Sequence, residues 1–227
     1  KGSRRPRSPF SGGIELLTTA EIGLILRPQS ELALLTAWDL RELFPALRRV
    51  LAAYQAAMYM AELLVQFVRD HDPHPGLYSA AIGVLRAMDS PQPVPGLLVR
   101  FQWDLLVECG FRPELGMDVR TGEPLDRARE YIFDPVAGGL SRVGAGQGSS
   151  GAASAPRSAG SGWRVRAETV ETLRAAARGA APESVATEAT ERAGRLLASY
   201  LRHLLGYQTP AMEALFGDRL ARYPVRA

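Results

Sequence analysis

The 227 residues are 46% hydrophobic and 22% charged, an ordinary globular composition that suits one domain of moderate size or one domain with a fragment of another. No apolar run is long enough for a membrane helix, and the single Cys109 excludes an internal disulfide and any multi-cysteine metal site. Net charge is +3, yet Lys1, Arg4, Arg5 and Arg7 stand together with no acid among them, which leaves the rest of the chain slightly negative. Attraction for a polyanion is therefore concentrated at the N-terminus. This basic start leads into no apolar signal core and has no initiator methionine, so a fragment whose beginning is missing is the expectation.

Residues 14–35 read as extended. Apolar runs from Ile22 to Leu26 and from Leu32 to Leu35 flank the turn-forming Arg27-Pro28-Gln29-Ser30. Two strands alone are marginal in water, so this hairpin needs further strands or a helical body beside it. From Thr36 the period changes, and Thr36 with Asp39 has the spacing of a helix cap. Pro45 allows a second helix start, followed by Leu47, Val50, Leu51, Tyr54, Met58, Ala61, Leu64, Val65 and Val68 on one face. Asp70-His-Asp-Pro-His-Pro75 ends that helix. A third helix begins near Pro75 and carries Leu77, Ala81, Val84, Leu85 and Met88. A fourth runs from Gly96 to Cys109, with Leu97, Leu98, Phe101, Leu105 and Val107, and Gly110 is its expected C-terminal cap.

Residues 111–143 read as irregular, with turns at Thr121-Gly-Glu-Pro124 and Asp134–Gly139. Residues 144–162 are nearly all Gly, Ala and Ser, too poor in apolar surface to offset their ordering entropy, and are expected to be a dispensable flexible linker. Helices resume over Glu168–Arg178 and Glu188–Leu205. The latter presents Leu196, Leu197, Tyr200, Leu201 and Leu204 on one face and stops at Gly206.

Several segments together resemble the DNA repair protein RecO family. The stretch Lys1-Gly-Ser-Arg-Arg-Pro-Arg-Ser8 is similar to the basic segment late in that family's OB-fold. Ser30 to Thr36, then Leu43-Phe-Pro-Ala-Leu-Arg48, resembles the passage from OB-fold to helices. Arg100-Phe101, Leu105-Leu106 and Gly110-Phe-Arg-Pro113 resemble the helix before the family's zinc loop. Phe133-Asp-Pro-Val-Ala-Gly-Gly139 resembles the segment after it, and Leu196 to Gly206 the last long helix. The resemblance implies a mainly α protein, in which residues 1–37 are the last strands of an incomplete OB-fold. Residues 38–227 are then a RecO-like helical domain with the insert at 144–162. It further implies a bacterial, cytoplasmic, nucleoid-associated recombination mediator. Such a protein binds single-stranded DNA and the C-terminal tail of single-stranded-DNA-binding protein, acts with RecR to load recombinase, and promotes annealing.

In the zinc loop the sequence departs from the family. Gly122-Glu-Pro-Leu125 survives, but Asp118 and Thr121 stand at the first two cysteine positions, and the second pair falls near Arg142 and Ala145. Structural zinc is held by four Cys or His ligands, so neither zinc nor any other cofactor is expected.

Lys1, Arg4, Arg5 and Arg7 are the DNA-binding candidates, because counterion release needs only clustered cations; the plainer reading is a solvated terminus. His71-Asp-Pro-His74 could supply metal ligands, but prolines at a helix end suit a turn better. Cys109 reads as a small buried hydrophobe and His203 as a structural side chain. No phosphate-binding glycine loop, nucleophile elbow or carboxylate pair is present, so no catalytic residue is nominated. Tyr54, Tyr59, Phe67, Phe101, Trp103 and Tyr200 read as core. The resemblance implies a partner groove with an arginine rim but does not identify its residues. A helical protein–protein adaptor without nucleic-acid binding is the alternative, and in-frame OB-fold strands encoded upstream of Lys1 would decide against it.

Overall fold

The computed structural model describes residues 10–11, 14–27, 29, 32–90, 93–144, 162–180, 187–220 and 223. The N-terminal sheet has the order β1–β3–β2, with β1 Phe10–Ser11, β2 Thr18–Ile25 and β3 Leu34–Leu43. The antiparallel β2–β3 ladder runs from Thr18↔Leu43 to Ile25↔Leu34. Residues 36–43 are therefore strand, where the Thr36–Asp39 spacing suggested a helix. Eight residues of β2 offer backbone donors and acceptors that only a continuous β3 can meet, and that pairing overrides a local capping signal.

Helix α1 (Ala46–Arg49) and helix α2 (Leu51–Phe67) replace the single helix expected after Pro45, because Val50 is extended at φ −120° and ψ 108°. The buried face of α2 also differs from the expected one. Ala53, Ala56, Ala57, Met60 and Leu63 point inward, while Leu51 and Val65 are 70% and 78% exposed. This helix is apolar nearly all round, so hydrophobicity alone does not select a face. Ala53, Ala56 and Ala57 let neighbouring helices approach closely, and they share the inner side with Tyr59, Met60 and Leu63.

Helix α3 (Pro75–Ala87) buries Leu77, Ala81, Val84, Leu85 and, just beyond its end, Met88, as its spacing predicts. Helix α4 (Val94–Glu108) buries Leu97, Leu98, Phe101 and Leu105 but leaves Val107 partly exposed. Gly110 caps it at φ +80°, where Phe111 N–H reaches the Leu106 carbonyl (2.7 Å) and Gly110 N–H the Val107 carbonyl (3.2 Å).

A second sheet occupies part of the region expected to be irregular. Its order is β5–β4–β6, all antiparallel, with β4 Glu130–Asp134, β5 Gly139–Arg142 and β6 Trp163–Arg166. These strands are four or five residues long, too short for a clear alternation signal, and β6 lies beyond the Gly/Ala/Ser segment. Residues 145–161 of that segment lie outside the described residues. Helix α5 (Ala167–Ala177) and helix α6 (Thr187–Leu205) follow, with Leu196, Leu197, Tyr200 and Leu201 buried at the centre of the core. Helix α7 (Pro210–Phe216) and a 3-10 turn over Gly217–Leu220, neither anticipated, close the body.

Glu42 at the end of β3 forks onto the Arg86 guanidinium of α3 (2.8–3.2 Å), and the Ala46 N–H donates to Asp89 (2.6 Å). The first contact ties the N-terminal sheet to α3, and the second holds α1 against the end of α3. Among the described residues no helix is long and apolar enough to cross a membrane.

Candidate functional site

Two places combine unusual chemistry with defined geometry. The first is the loop where the sequence carries Asp118 instead of cysteine. Gly116 to Leu125 folds back on itself: Leu125 N–H donates to the Gly116 carbonyl (2.8 Å), Asp118 N–H to the Glu123 carbonyl (2.7 Å), and Gly122 N–H to the Asp118 carbonyl (2.7 Å). The Asp118 side chain is fully buried. Its Oδ1 accepts from Arg120 N–H (2.9 Å) and, at longer range, Thr121 N–H (3.4 Å), while Oδ2 accepts from Arg142 N–H on β5 (2.9 Å). Burial pushes this carboxyl up, but bonds from the Arg142, Arg120 and Thr121 amides outweigh it, and the net shift is downward.

Arg142 tightens the same loop from outside. Its guanidinium donates to Glu123 (3.3 Å), the Pro124 carbonyl (2.8 Å) and Asp126 (3.1 Å). In the resemblance Asp118 and Thr121 stand at the first two cysteine positions, and Arg142 lies near the second pair. Here direct hydrogen bonds join them. A zinc ion does not fit this donor set: both Asp118 oxygens are committed to amide protons, and Thr121 and the cationic Arg142 are not zinc ligands. EDTA treatment is accordingly expected to leave the thermal unfolding midpoint unchanged; a fall of several degrees, restored by zinc, would contradict this.

The second place is a groove of about 170 Å³ between the start of α4, α6 and the α7 end. Ala52, Val94, Leu98, Leu215 and Phe216 supply apolar surface, and Arg195 and Arg219 stand at its edge. Arg195 lies 3.6 Å from Glu191, whereas Arg219 is exposed and has no ion-pair partner among the described residues. A buried polar relay backs the groove. Gln102 donates to the Tyr59 hydroxyl (2.8 Å) and the Gly194 carbonyl (3.3 Å), and Tyr59 meets Phe216 edge-on at 5.4 Å. Desolvation pushes the Tyr59 phenol well above its usual range. Arg202, itself buried, donates to the Leu220 carbonyl (3.0 Å), to the Tyr223 carbonyl and to Gln208 (3.0 Å), so it fixes the turn that carries Arg219.

The Asp134–Gly139 turn, singled out in the sequence, has a structural role. Asp134 accepts from Val136 and Ala137 N–H and pairs with Arg120 (3.1 Å), and Gly138 adopts φ +70°. A Cβ on Gly139 would lie 2.7 Å from the Glu114 carbonyl oxygen. Both the turn and the Asp118 loop lie within residues 48–213, the stretch that matches the recombination protein O C-terminal family model. This chain belongs to the RecO family. It is 30% identical over 215 residues to the DNA repair protein RecO of Anaeromyxobacter dehalogenans strain 2CP-C, covering 95% of this chain and 82% of that protein. It is 33% identical over 141 residues to RecO of Rhodopirellula baltica, covering 62% of this chain and 52% of that relative. RecO of Myxococcus xanthus is 27% identical over 184 residues, covering 78% and 74%. The names of these relatives and of the family model place the family in DNA repair and recombination.

Of the other sequence candidates, Lys1, Arg4, Arg5 and Arg7 lie outside the described residues. His74 lies between Asp72 (3.2 Å) and Glu108 (4.0 Å), and no three His, Cys, Asp or Glu side chains among the described residues converge on a metal position. Cys109 is free and half-buried at the end of α4, and burial pushes its thiol up, the opposite of a reactive thiolate. His203 packs edge-on against Trp163 (6.4 Å). Tyr59, Phe101, Trp103 and Tyr200 are core, while Tyr54 is 45% exposed. The groove escaped the sequence because its lining comes from α2, α4, α6, α7 and the final turn, elements far apart along the chain.

Proposed function

We propose that this chain is a recombination mediator that holds single-stranded DNA by phosphate contacts and docks on single-stranded-DNA-binding protein through that partner's acidic, aromatic C-terminal tail. On this reading it acts with RecR to load recombinase and anneals complementary strands in the bacterial cytoplasm, at the nucleoid. The observation that carries the docking step is the groove. Its apolar floor suits an aromatic side chain, and the Arg219 guanidinium at its edge, which has no ion-pair partner among the described residues, suits a carboxylate, which it can bind bidentately. No bond is made or broken; the work is competitive binding of strand and partner.

The N-terminal sheet supports the DNA step. We assign β1–β3 to the last part of an OB-fold, since β2 and β3 expose Ile22, Leu24, Ile25 and Leu34, surface that further strands of a barrel would cover. Lys1, Arg4, Arg5 and Arg7 would then lead into the barrel edge and contact phosphates. Changing Arg4, Arg5 and Arg7 to alanine is expected to weaken single-strand binding for every sequence and to flatten the slope of log affinity against log salt by up to about 2. Folding stability should hardly move. Unchanged affinity and slope in a protein with its complete OB-fold would reduce the basic stretch to a solvated terminus.

A further inference from the structure

We propose that Arg127, Arg129 and Arg166 form a second phosphate-contact site for single-stranded DNA, on the open flank of the β5–β4–β6 sheet. The inference rests on the reading that the chain binds single strands, and it places part of that binding in the helical body, away from the basic N-terminus.

Strand β6 buries Trp163 and Val165 and exposes Arg164 and Arg166. The β4–β6 register sets Arg166 opposite Glu130, and the Ala167 N–H donates to the Arg129 carbonyl (2.9 Å), which fixes Arg129 beside the start of α5. Between them is an open depression of about 590 Å³, lined by Arg129, Glu130, Val143, Arg166, Ala167 and Glu168. Counted alone, this lining is neutral, with two arginines against two glutamates. Its glutamates, however, are engaged elsewhere. Glu130 pairs with Arg164 (3.4 Å) although Arg166 faces it across the ladder, and Glu168 pairs with Arg192 (2.6 Å). Nearby Asp126 pairs with Arg142 (3.1 Å).

The carboxylates are thus matched, and Arg127, Arg129 and Arg166 have no ion-pair partner among the described residues. All three are exposed. Arg129 and Arg166 line the open hollow, and Arg127 stands two residues before Arg129 in the chain; such guanidinium groups offer forked donors to phosphate oxygens with no ion pair among the described residues to break. Contacts from such groups to the sugar–phosphate backbone carry no sequence information, so binding there is expected to be independent of sequence.

The test uses the protein with its complete OB-fold and a labelled oligothymidine, titrated at several salt concentrations. The R127A/R129A/R166A variant is expected to bind about tenfold or more weakly at low salt and to lose up to about 2 from the salt slope, at about 0.7 per phosphate contact. The matching triple lysine variant should recover the slope, since the charges are kept, and would answer any loss of folding in the alanine form. Removing the exposed Arg49, Arg69 and Arg178 instead should change the slope less. Equal losses in that control would reduce the site to bulk charge and overturn it. Wild-type affinity and slope in the alanine variant, with the wild type binding, would overturn the site and leave the DNA-binding reading standing. No binding by the wild type would overturn both.

Discussion

Replacing Asp118 with alanine is expected to lower the unfolding free energy by about 3 kcal/mol, read as a shift of the urea midpoint at unchanged slope. The carboxylate is buried and accepts two well-formed backbone bonds at 2.9 Å and a longer one at 3.4 Å. Removing it orphans those N–H groups, and each buried donor left without a partner costs roughly 1–3 kcal/mol. The D118N substitution should cost less, about 1–2 kcal/mol, because one acceptor oxygen remains while the other bond is lost. The pH dependence has a definite sign. The folded carboxyl sits below the ordinary aspartate value of 3.8, so its contribution is complete well above that pH and is lost as pH falls through the folded value. The gap between wild type and D118A should therefore close in acid. Glu114 and Asp134 flank the same loop and are also held below their usual range. For Glu114 the Gly116 amide is the leading cause; for Asp134 burial raises the value, but the Ala137 amide and Arg120 more than offset it. Protection of backbone amides in residues 114–142 should accordingly be lost before that of α4 or α6 as pH drops.

Reversing the charge of Arg219 is expected to weaken binding of an acidic, aromatic-ended tail peptide by about ten- to a hundredfold. A hydrogen bond to a charged group is worth about 1.5–3 kcal/mol, and reversal adds repulsion. Arg219 is exposed on the turn after α7, so R219E should leave the melting temperature within a degree or two of wild type. Arg202 gives a second route to the same effect, because its guanidinium holds the Leu220 carbonyl beside Arg219. Fluorescence anisotropy with the peptide measures the R219E effect. Equal affinity for wild type and R219E would remove the groove from the account.

Much of the helical body was legible in the sequence because α3, α4, α5 and α6 have well-spaced apolar residues and clear ends. Gly110 and Gly206 both take positive φ where those ends require it. Three features were not legible, each for a physical reason. The strand over residues 36–43 depends on pairing with β2, which a local capping signal cannot reveal. The inner face of α2 combines Ala53, Ala56 and Ala57 with Tyr59, Met60 and Leu63, a face that apolar residues spread all round the helix do not single out. The second sheet is built from strands of at most five residues with a long segment between β5 and β6. For the site, the sequence established that the cysteines are replaced, but not that Asp118 would bind the Arg142 amide 24 residues away. The matched and unmatched arginines were likewise invisible, because pairing depends on which carboxylates the fold brings near.

The most direct measurement of the central claim is annealing of complementary strands coated with single-stranded-DNA-binding protein. The protein, with a complete OB-fold, should anneal strands coated with the intact partner, and should lose most of that rate when the partner lacks its C-terminal tail or when R219E is used. Annealing no faster than the spontaneous rate, or equally fast with the tail deleted, would contradict the account.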